Sequence, residues 1–262
     1  FDRFTRVREW QEIAIALLKK FTDRFYELKR NEYLGPKLEP RRVEFDESGA
    51  GNFFAEYVFE ISRDDHQLRD AISLVEEQPD VPRQLGALEA VVLDSHLYTP
   101  LIHLAPGSTA TMKPVGLNPG ERDFVRDLAR FMEEHPHALE GREFYVLRNR
   151  SRGRGWGFFE GANVYPDFIL WLVHGEKQHI TFVDPHGLVH ASKDDPKLML
   201  ARSIKDHEAR IRETHPEITL DSFIVSPREG DQIPAWASDF TDADLDKWHL
   251  LFRDGSTKHI GK

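Results

Sequence analysis

Two neighbouring segments of β-forming residues, separated by a short polar turn, constrain the fold of this chain more than any other feature. Tyr165–Val173 and Gln178–Pro185 are apolar on both faces, as is typical of central strands in a sheet. If the turn is centred on Gly175–Glu176 and has an even number of residues, the hairpin pairs Asp167 with Asp184. Direct cross-strand partners have Cβ atoms about 5 Å apart. The sequence therefore predicts that the two carboxylates face each other on one side of the sheet.

This pair of aspartates predicts a metal site. Like charges placed opposite each other destabilise a sheet, and an otherwise apolar hairpin has no structural use for them. A hard divalent cation resolves the conflict, because Mg²⁺ takes one or two protein carboxylates, keeps several waters and leaves room for a phosphate. His186, two residues after Asp184, is expected on the same face of the strand. The alternatives are that the aspartates only end strands at the solvent edge and that His186 is a simple turn residue.

The absence of cysteine narrows the chemistry that the chain can perform. With no cysteine in 262 residues, disulfides, thiolate nucleophiles and thiolate zinc sites are excluded. Any metal must therefore be held by oxygen or imidazole ligands. The longest apolar runs, such as Phe168–Val173, are too short to cross a bilayer. We expect a cytoplasmic protein with no membrane partner.

A basic segment interrupts an otherwise acidic chain. The net charge of −10 argues against coating of nucleic acid through bulk charge. Between residues 142 and 154, however, five arginines stand against one acid. Several glycines follow closely and would let backbone amides approach a phosphate. The segment therefore predicts phosphate contacts that position nucleic acid, and the alternative is a flexible, solvated loop.

The first third of the chain has a different pattern from the rest. Residues 6–33 carry apolar side chains every three or four positions, which predicts an amphipathic helix. The segment 42–62 predicts a hairpin, and Asp64–Glu77 a second helix. Turn-forming residues between 80 and 118 indicate a boundary, so we predict a connector region, residues 1–90, and a main domain, residues 91–262. Because the chain begins at Phe1 without a signal peptide, we expect it to be a piece of a longer polypeptide.

A further helix is predicted to begin near Asn118. Asn118 is a suitable cap, Pro119 suits the first turn, and Glu121 stands where a capping box requires an acid. Glu121 also lies one turn before Phe124 and Val125, so it points towards the buried face. One side chain could hardly serve both as a capping partner and as a site residue. The sequence leaves both interpretations open.

Four segments, in order along the chain, resemble a known family. They are Val115–Phe124, Leu147–Phe159, Tyr165–Ile169 with its Pro-Asp pair, and Phe182–Gly187. Together they are similar to the PD-(D/E)xK nuclease superfamily, and most closely to the C-terminal nuclease region of type III restriction-enzyme-like DEAD/DEAH helicases. The resemblance covers roughly residues 95–225. It implies an α/β fold of the restriction-endonuclease-like type, a mixed sheet flanked by helices, here preceded by a smaller helix-plus-hairpin region.

The resemblance also implies roles for individual residues. Asp167 and Asp184 would hold the metal, with the backbone carbonyl of Pro185 as a further ligand, and Glu121 would be the acid carried on a helix. The lysine of the family falls at His186, whose imidazole can accept a proton from water or stabilise charge. The catalytic set is then Asp167, Asp184, His186 and Glu121. The arginines expected to grip phosphates are Arg148, Arg150, Arg152 and Arg154.

The function that the resemblance implies is a Mg²⁺-dependent endonuclease, with Mn²⁺ as a substitute, that hydrolyses DNA phosphodiester bonds. Its partners would be DNA and a helicase or ATPase region of the same longer polypeptide, in a prokaryotic restriction or antiviral defence protein. No Walker-type loop occurs in the sequence, so the chain itself is not expected to hydrolyse ATP. The alternatives are a DNA-positioning module of a helicase with impaired catalysis, for which the histidine at 186 is the sequence feature, and a protein-interaction domain.

Overall fold

The structure, a computed structural model, describes residues 10–22, 25, 29, 57–108, 110–149, 157, 164–185, 188, 191–227 and 235–261. The chain divides into two compact units: Phe1–Val43 with Gly157–Val164, and Glu44–Trp156 with Tyr165–Lys262. In the first unit residues 10–22 form helix α1, which confirms the predicted helix for these residues. Among the described residues, no helix combines the length and apolar character needed to span a lipid bilayer.

The second unit is mixed α/β. Its helices are α2 (His66–Glu77), α3 (Pro119–Glu134), α4 (Pro196–Arg212) and α5 (Asp242–Lys247). Its strands are β1 (Val58–Glu60), β2 (Arg83–Leu85), β3 (Leu88–Val91), β4 (Leu101–Leu104), β5 (Thr111–Lys113), β6 (Glu143–Arg148), β7 (Phe168–His174), β8 (Lys177–Pro185), β9 (Ile218–Pro227) and β10 (Leu250–Arg253). They form a five-stranded sheet in the order β10-β9-β8-β7-β6, a three-stranded sheet β2-β3-β4 and the pair β1-β5.

The predicted division into residues 1–90 and 91–262 stays a prediction. That division falls inside β3, which pairs with β4 on its far side through Val91 and Leu101. The predicted helix over residues 64–77 is confirmed as α2. Of the predicted hairpin over residues 42–62, the part up to residue 56 lies outside the described residues, and β1 pairs with β5.

The five-stranded sheet is mixed, and its centre is the predicted hairpin. β7 and β8 are antiparallel with Phe168 opposite Val183, whereas β8, β9 and β10 run parallel. The two-residue turn begins with Gly175, whose φ of 59° lies in the left-handed region that glycine adopts without steric cost. Extended by one residue, this register would place Asp167 opposite Asp184, and the backbone N–H of Asp167 donates to Asp184 Oδ1 at 3.3 Å, so the two aspartates lie next to each other.

Helices cover both faces of this sheet. On one face α3 buries Phe124, whose ring lies 5.1 Å from that of Phe168, in a core that also contains Val225. On the other face α4 buries Leu198 against Ile224, the neighbour of Val225 on β9. Each such apolar side chain contributes about 2 kcal/mol when fully buried. Both helices begin near the end of β8, and this arrangement brings their first turns to one place.

Candidate active site

Three charged side chains meet where β8 ends, and we call them the ion triad: Asp167, Asp184 and Lys197. Asp184 is 2% exposed, Asp167 directly precedes β7, and Lys197 lies in the first turn of α4. Lys197 Nζ lies 3.4 Å from Asp167 Oδ2 and donates a hydrogen bond to Asp184 Oδ1. The backbone N–H of Asp167 donates to the same Oδ1 at 3.3 Å. Lys197 Nζ and the backbone N–H of Asp167 therefore both donate to the same buried carboxylate oxygen of Asp184.

The start of α4 explains why Lys197 reaches this place. Asp195 caps the helix by accepting a hydrogen bond from the backbone N–H of Lys197 at 2.9 Å, and Pro196 occupies the first turn. Because β8 and β9 are parallel, the chain must cross over between them, and α4 forms this crossover. Its first turn therefore returns to the end of β8. Sequence reasoning missed Lys197, although the Asp-Pro pair before it marks a helix start.

The charges of the ion triad depend on burial. Burial raises the pKa of Asp184 to about 7; the Lys197 ammonium opposes this rise and the Asp167 carboxylate adds to it. For Lys197, burial favours the neutral amine, but the two carboxylates outweigh it and raise the pKa. Lys197 therefore stays protonated at neutral pH. The sequence predicts a metal ion between the carboxylates of Asp167 and Asp184. In the structure the Lys197 ammonium group reduces their repulsion.

Glu121 forms the capping box of α3. Its Oε2 accepts a hydrogen bond from the backbone N–H of Asn118 at 2.7 Å, while the Asn118 side chain accepts from the Glu121 N–H at 2.9 Å. The same Oε2 accepts from Arg148 Nη2 at 3.0 Å. Burial raises the pKa of Glu121, Arg148 opposes the rise and the charge of Asp167 adds to it. The capping interpretation is confirmed, and Glu121 lies within electrostatic range of the ion triad.

Arg148 is buried, with 8% of its surface exposed. Its Nη1 donates to the carbonyl of Val115 at 2.7 Å, and its Nη2 donates to that of Gly116 at 3.0 Å as well as to Glu121. The guanidinium therefore joins β6 to the segment that leads into α3. A phosphate contact of Arg148 stays a prediction, and its described partners are internal. The other predicted phosphate ligands, Arg150, Arg152 and Arg154, and the predicted catalytic His186 lie outside the described residues.

His96 contacts the backbone of Arg148 through a hydrogen bond. Its Nε2 accepts a hydrogen bond from the backbone N–H of Arg148 at 2.8 Å, and its Nδ1 lies 2.7 Å from the carbonyl oxygen of Tyr98. A neutral ring with its proton on Nδ1 satisfies both contacts. Burial lowers the pKa of His96 to about 4; the hydrogen bond to Tyr98 opposes this and the charge of Arg148 adds to it. Protonation of His96 would break the bond that holds Arg148.

We expect His96 to make the second unit less stable in mild acid. Its pKa is about 4 in the folded state and 6.5 in an unfolded chain, so between pH 6.5 and pH 4 the unfolded state binds the proton and the folded state largely does not. The contribution of neutral His96 to the free energy of unfolding is complete above pH 6.5 and should fall by about 2 kcal/mol at pH 5. Urea unfolding of the wild type and of His96→Gln from pH 7.5 to pH 5 measures it as a shrinking difference in unfolding free energy.

The control for this experiment is His137→Gln, at a histidine with an 89% exposed side chain. It reports what a histidine-to-glutamine change does by itself. A difference between wild type and His96→Gln that stays constant or widens as the pH falls would contradict the assigned protonation state.

The described donors suit a magnesium ion only in part. No group of three or more His, Asp or Glu side chains able to hold a metal occurs in the described ranges. The predicted third ligand, the Pro185 carbonyl, lies against Gly120 of α3, where a Cβ atom would come within 2.9 Å of it. Two carboxylates, one of them with a 27% exposed side chain at Asp167, meet the needs of Mg²⁺, which keeps several waters. The residues therefore fit a two-carboxylate site in which Asp184 is buried and Asp167 is partly exposed to solvent.

No protein-family model matches this chain, and neither a curated protein nor a solved structure matches it significantly. The resemblance to PD-(D/E)xK nucleases rests on the four sequence segments.

Proposed function

We propose that the second unit is a PD-(D/E)xK-type nuclease with a restriction-endonuclease-like fold, which hydrolyses DNA phosphodiester bonds with Mg²⁺ or Mn²⁺. The observation that carries this proposal is the meeting of Asp167, Asp184 and Lys197 at the end of the central strand. Two carboxylates and an amine in one place supply both metal ligands and a cation for phosphate. The mixed five-stranded sheet with helices on both faces also supports it. We propose that this unit belongs to a longer helicase–nuclease protein of restriction or antiviral defence.

Each residue of the site would have a separate task. Asp167 and Asp184 would hold the ion, which supplies Lewis-acid polarisation of the phosphoryl group and activation of water. Lys197 would offset the charge that develops on the phosphate, a task that the family resemblance gives to position 186. Glu121, fixed by Asn118 and Arg148 through Oε2, would assist with its other oxygen, Oε1, which takes part in neither of these two bonds. Hydrolysis by water needs no covalent intermediate.

A second candidate function is supported by the same contacts. Lys197 already neutralises Asp184, so the ion triad can persist as a structural cluster without any metal. The unit would then position DNA for a helicase and not cut it. This alternative predicts binding of DNA without cleavage.

A cleavage assay with the purified chain separates the two functions. Supercoiled plasmid incubated with the protein and Mg²⁺ or Mn²⁺ should be converted to nicked or linear DNA, and EDTA should prevent the conversion. Electrophoretic mobility shifts of the same DNA in EDTA measure binding alone, at low salt because phosphate contacts weaken as salt rises. Binding without cleavage would favour the positioning module. Absence of both binding and cleavage would reject the two functions together.

A further inference from the structure

A cavity of about 410 Å³ lies between α3 and the five-stranded sheet. Its walls are mostly apolar and include Phe124, Leu128, Phe144, Leu170, Val183 and Phe223. Because successive side chains of a strand point to opposite faces, Val183 faces the cavity while Asp184 faces α4 and the ion triad. The cavity is therefore separate from the proposed catalytic site. Its volume lies within the range of about 300 to 1,000 Å³ found for small-molecule sites.

A few polar groups stand along this apolar space. His179 and Asp221 form one pair, with 2.8 Å between His179 Nε2 and Asp221 Oδ2. Lys205 Nζ contacts the other oxygen of Asp221 at 2.7 Å and also contacts Glu208 at 3.1 Å, so the carboxylate at the cavity has a cationic partner. This ion pair lowers the repulsion that an anion near His179 would meet.

Arg142 supplies a cation at the cavity that has no described acidic partner. The two acids closest to it in sequence are engaged elsewhere. Glu140 contacts His137 at 3.3 Å, and Glu143 accepts a hydrogen bond from the Tyr145 hydroxyl at 2.7 Å. Among the described residues, Arg142 forms no ion pair, and its side chain is exposed. An exposed guanidinium beside an apolar cavity is a suitable partner for a carboxylate.

His259 adds a buried polar group to the cavity wall. It is 5% exposed, and neither of its ring nitrogens has a hydrogen bond within the described part of the chain. Its Nε2 lies 3.3 Å from Asp127 Oδ2, and this contact is an ion pair only when the imidazole ring is protonated. Buried polar atoms of this kind are usually satisfied by a partner, which a bound molecule or water can supply.

We propose that this cavity binds a small amphipathic carboxylate, whose apolar body lies between α3 and the sheet and whose carboxylate contacts Arg142 near His179. The apolar walls provide most of the affinity, because burial of apolar surface is the dominant favourable term. Arg142 provides the orientation and the preference for an anion. The site is independent of the nuclease proposal, since it lies on the other face of the sheet.

Isothermal titration with octanoate and with octanol tests the proposal, because the two probes share an apolar body and differ in the head group. Octanoate should bind the wild type at least about tenfold more tightly than octanol. Arg142→Gln should remove this preference by weakening octanoate binding about tenfold, while octanol binding stays unchanged. Leu172→Trp, at a half-buried position of the cavity wall, should abolish binding of both probes.

The matched control is Arg63→Gln, an exposed arginine outside the cavity wall, which should bind both probes as the wild type does. Thermal melting of each variant verifies that it is folded before titration. No octanoate binding by the wild type, equal affinity for the two probes, or unchanged binding by a folded Leu172→Trp protein would each overturn the proposal.

Discussion

Replacing Asp184 with asparagine is expected to lower Mg²⁺-dependent DNA cleavage by at least about a hundredfold while the second unit stays folded. Asp184 is the most buried member of the ion triad, and its Oδ1 accepts from both Lys197 and the backbone of Asp167. An amide cannot supply the second anionic ligand that a two-carboxylate magnesium site needs. The asparagine side-chain oxygen can still accept both hydrogen bonds. The substitution also removes a carboxylate whose ionisation is opposed by burial. Activity should therefore fall without a loss of stability.

The matched control for Asp184→Asn is Asp206→Asn, at an exposed aspartate on α4. It causes the same change in net charge and should leave cleavage and DNA binding near the wild-type level. Initial cleavage rates of supercoiled plasmid and thermal melting temperatures are the measurements. A folded Asp184→Asn protein that cleaves DNA at the wild-type rate would show that the cleavage centre lies elsewhere.

Replacing Lys197 with methionine is expected to destabilise the second unit by about 2 to 4 kcal/mol at pH 8. The substitution leaves the Asp184 carboxylate buried beside Asp167 without its ammonium partner. Because burial holds the folded-state pKa of Asp184 above its unfolded value, folding at high pH must bury a charge that the unfolded chain exposes to water. The destabilisation should therefore grow as the pH rises from 5 to 8. Urea unfolding at the two pH values measures it.

Magnesium distinguishes a metal site from a structural ion cluster in the same variant. If the carboxylates can hold Mg²⁺, the ion should raise the melting temperature of Lys197→Met more than that of the wild type, because the ammonium no longer competes. The control is Lys205→Met on the same helix, which removes an ammonium from Asp221 and Glu208. A Mg²⁺ response of Lys197→Met no larger than that of Lys205→Met would identify the triad as a structural cluster.

The part of the site that could be predicted from the sequence is the part fixed by short-range rules. Strands have a side-chain period of two, so the position of one turn glycine, Gly175, determines which residues face each other along the whole hairpin. Asp167 and Asp184 follow from that rule. The start of α3 at Asn118 follows from capping chemistry that acts over three residues.

The remaining contacts depend on how distant segments pack. Lys197 lies 13 residues after Asp184 and 30 after Asp167, and only the crossover through α4 brings it back. The sequence predicts a phosphate contact for Arg148 and does not predict its bond to Glu121, 27 residues away. The capping interpretation of Glu121 anticipated its bond to Asn118 and not this one. Local patterns contain no information on such partners, because they arise from the order of strands in the sheet.

The hairpin that carries the two aspartates also provides a handle for labelling. β7 contains seven residues, so the exposed turn at Gly175–Glu176 lies about 23 Å from the ion triad along the strand. The chain has no cysteine, so a cysteine introduced at Glu176 would be its only thiol. A dye attached there would report the approach of labelled DNA to the end of β8 by energy transfer, at a distance that leaves the triad undisturbed.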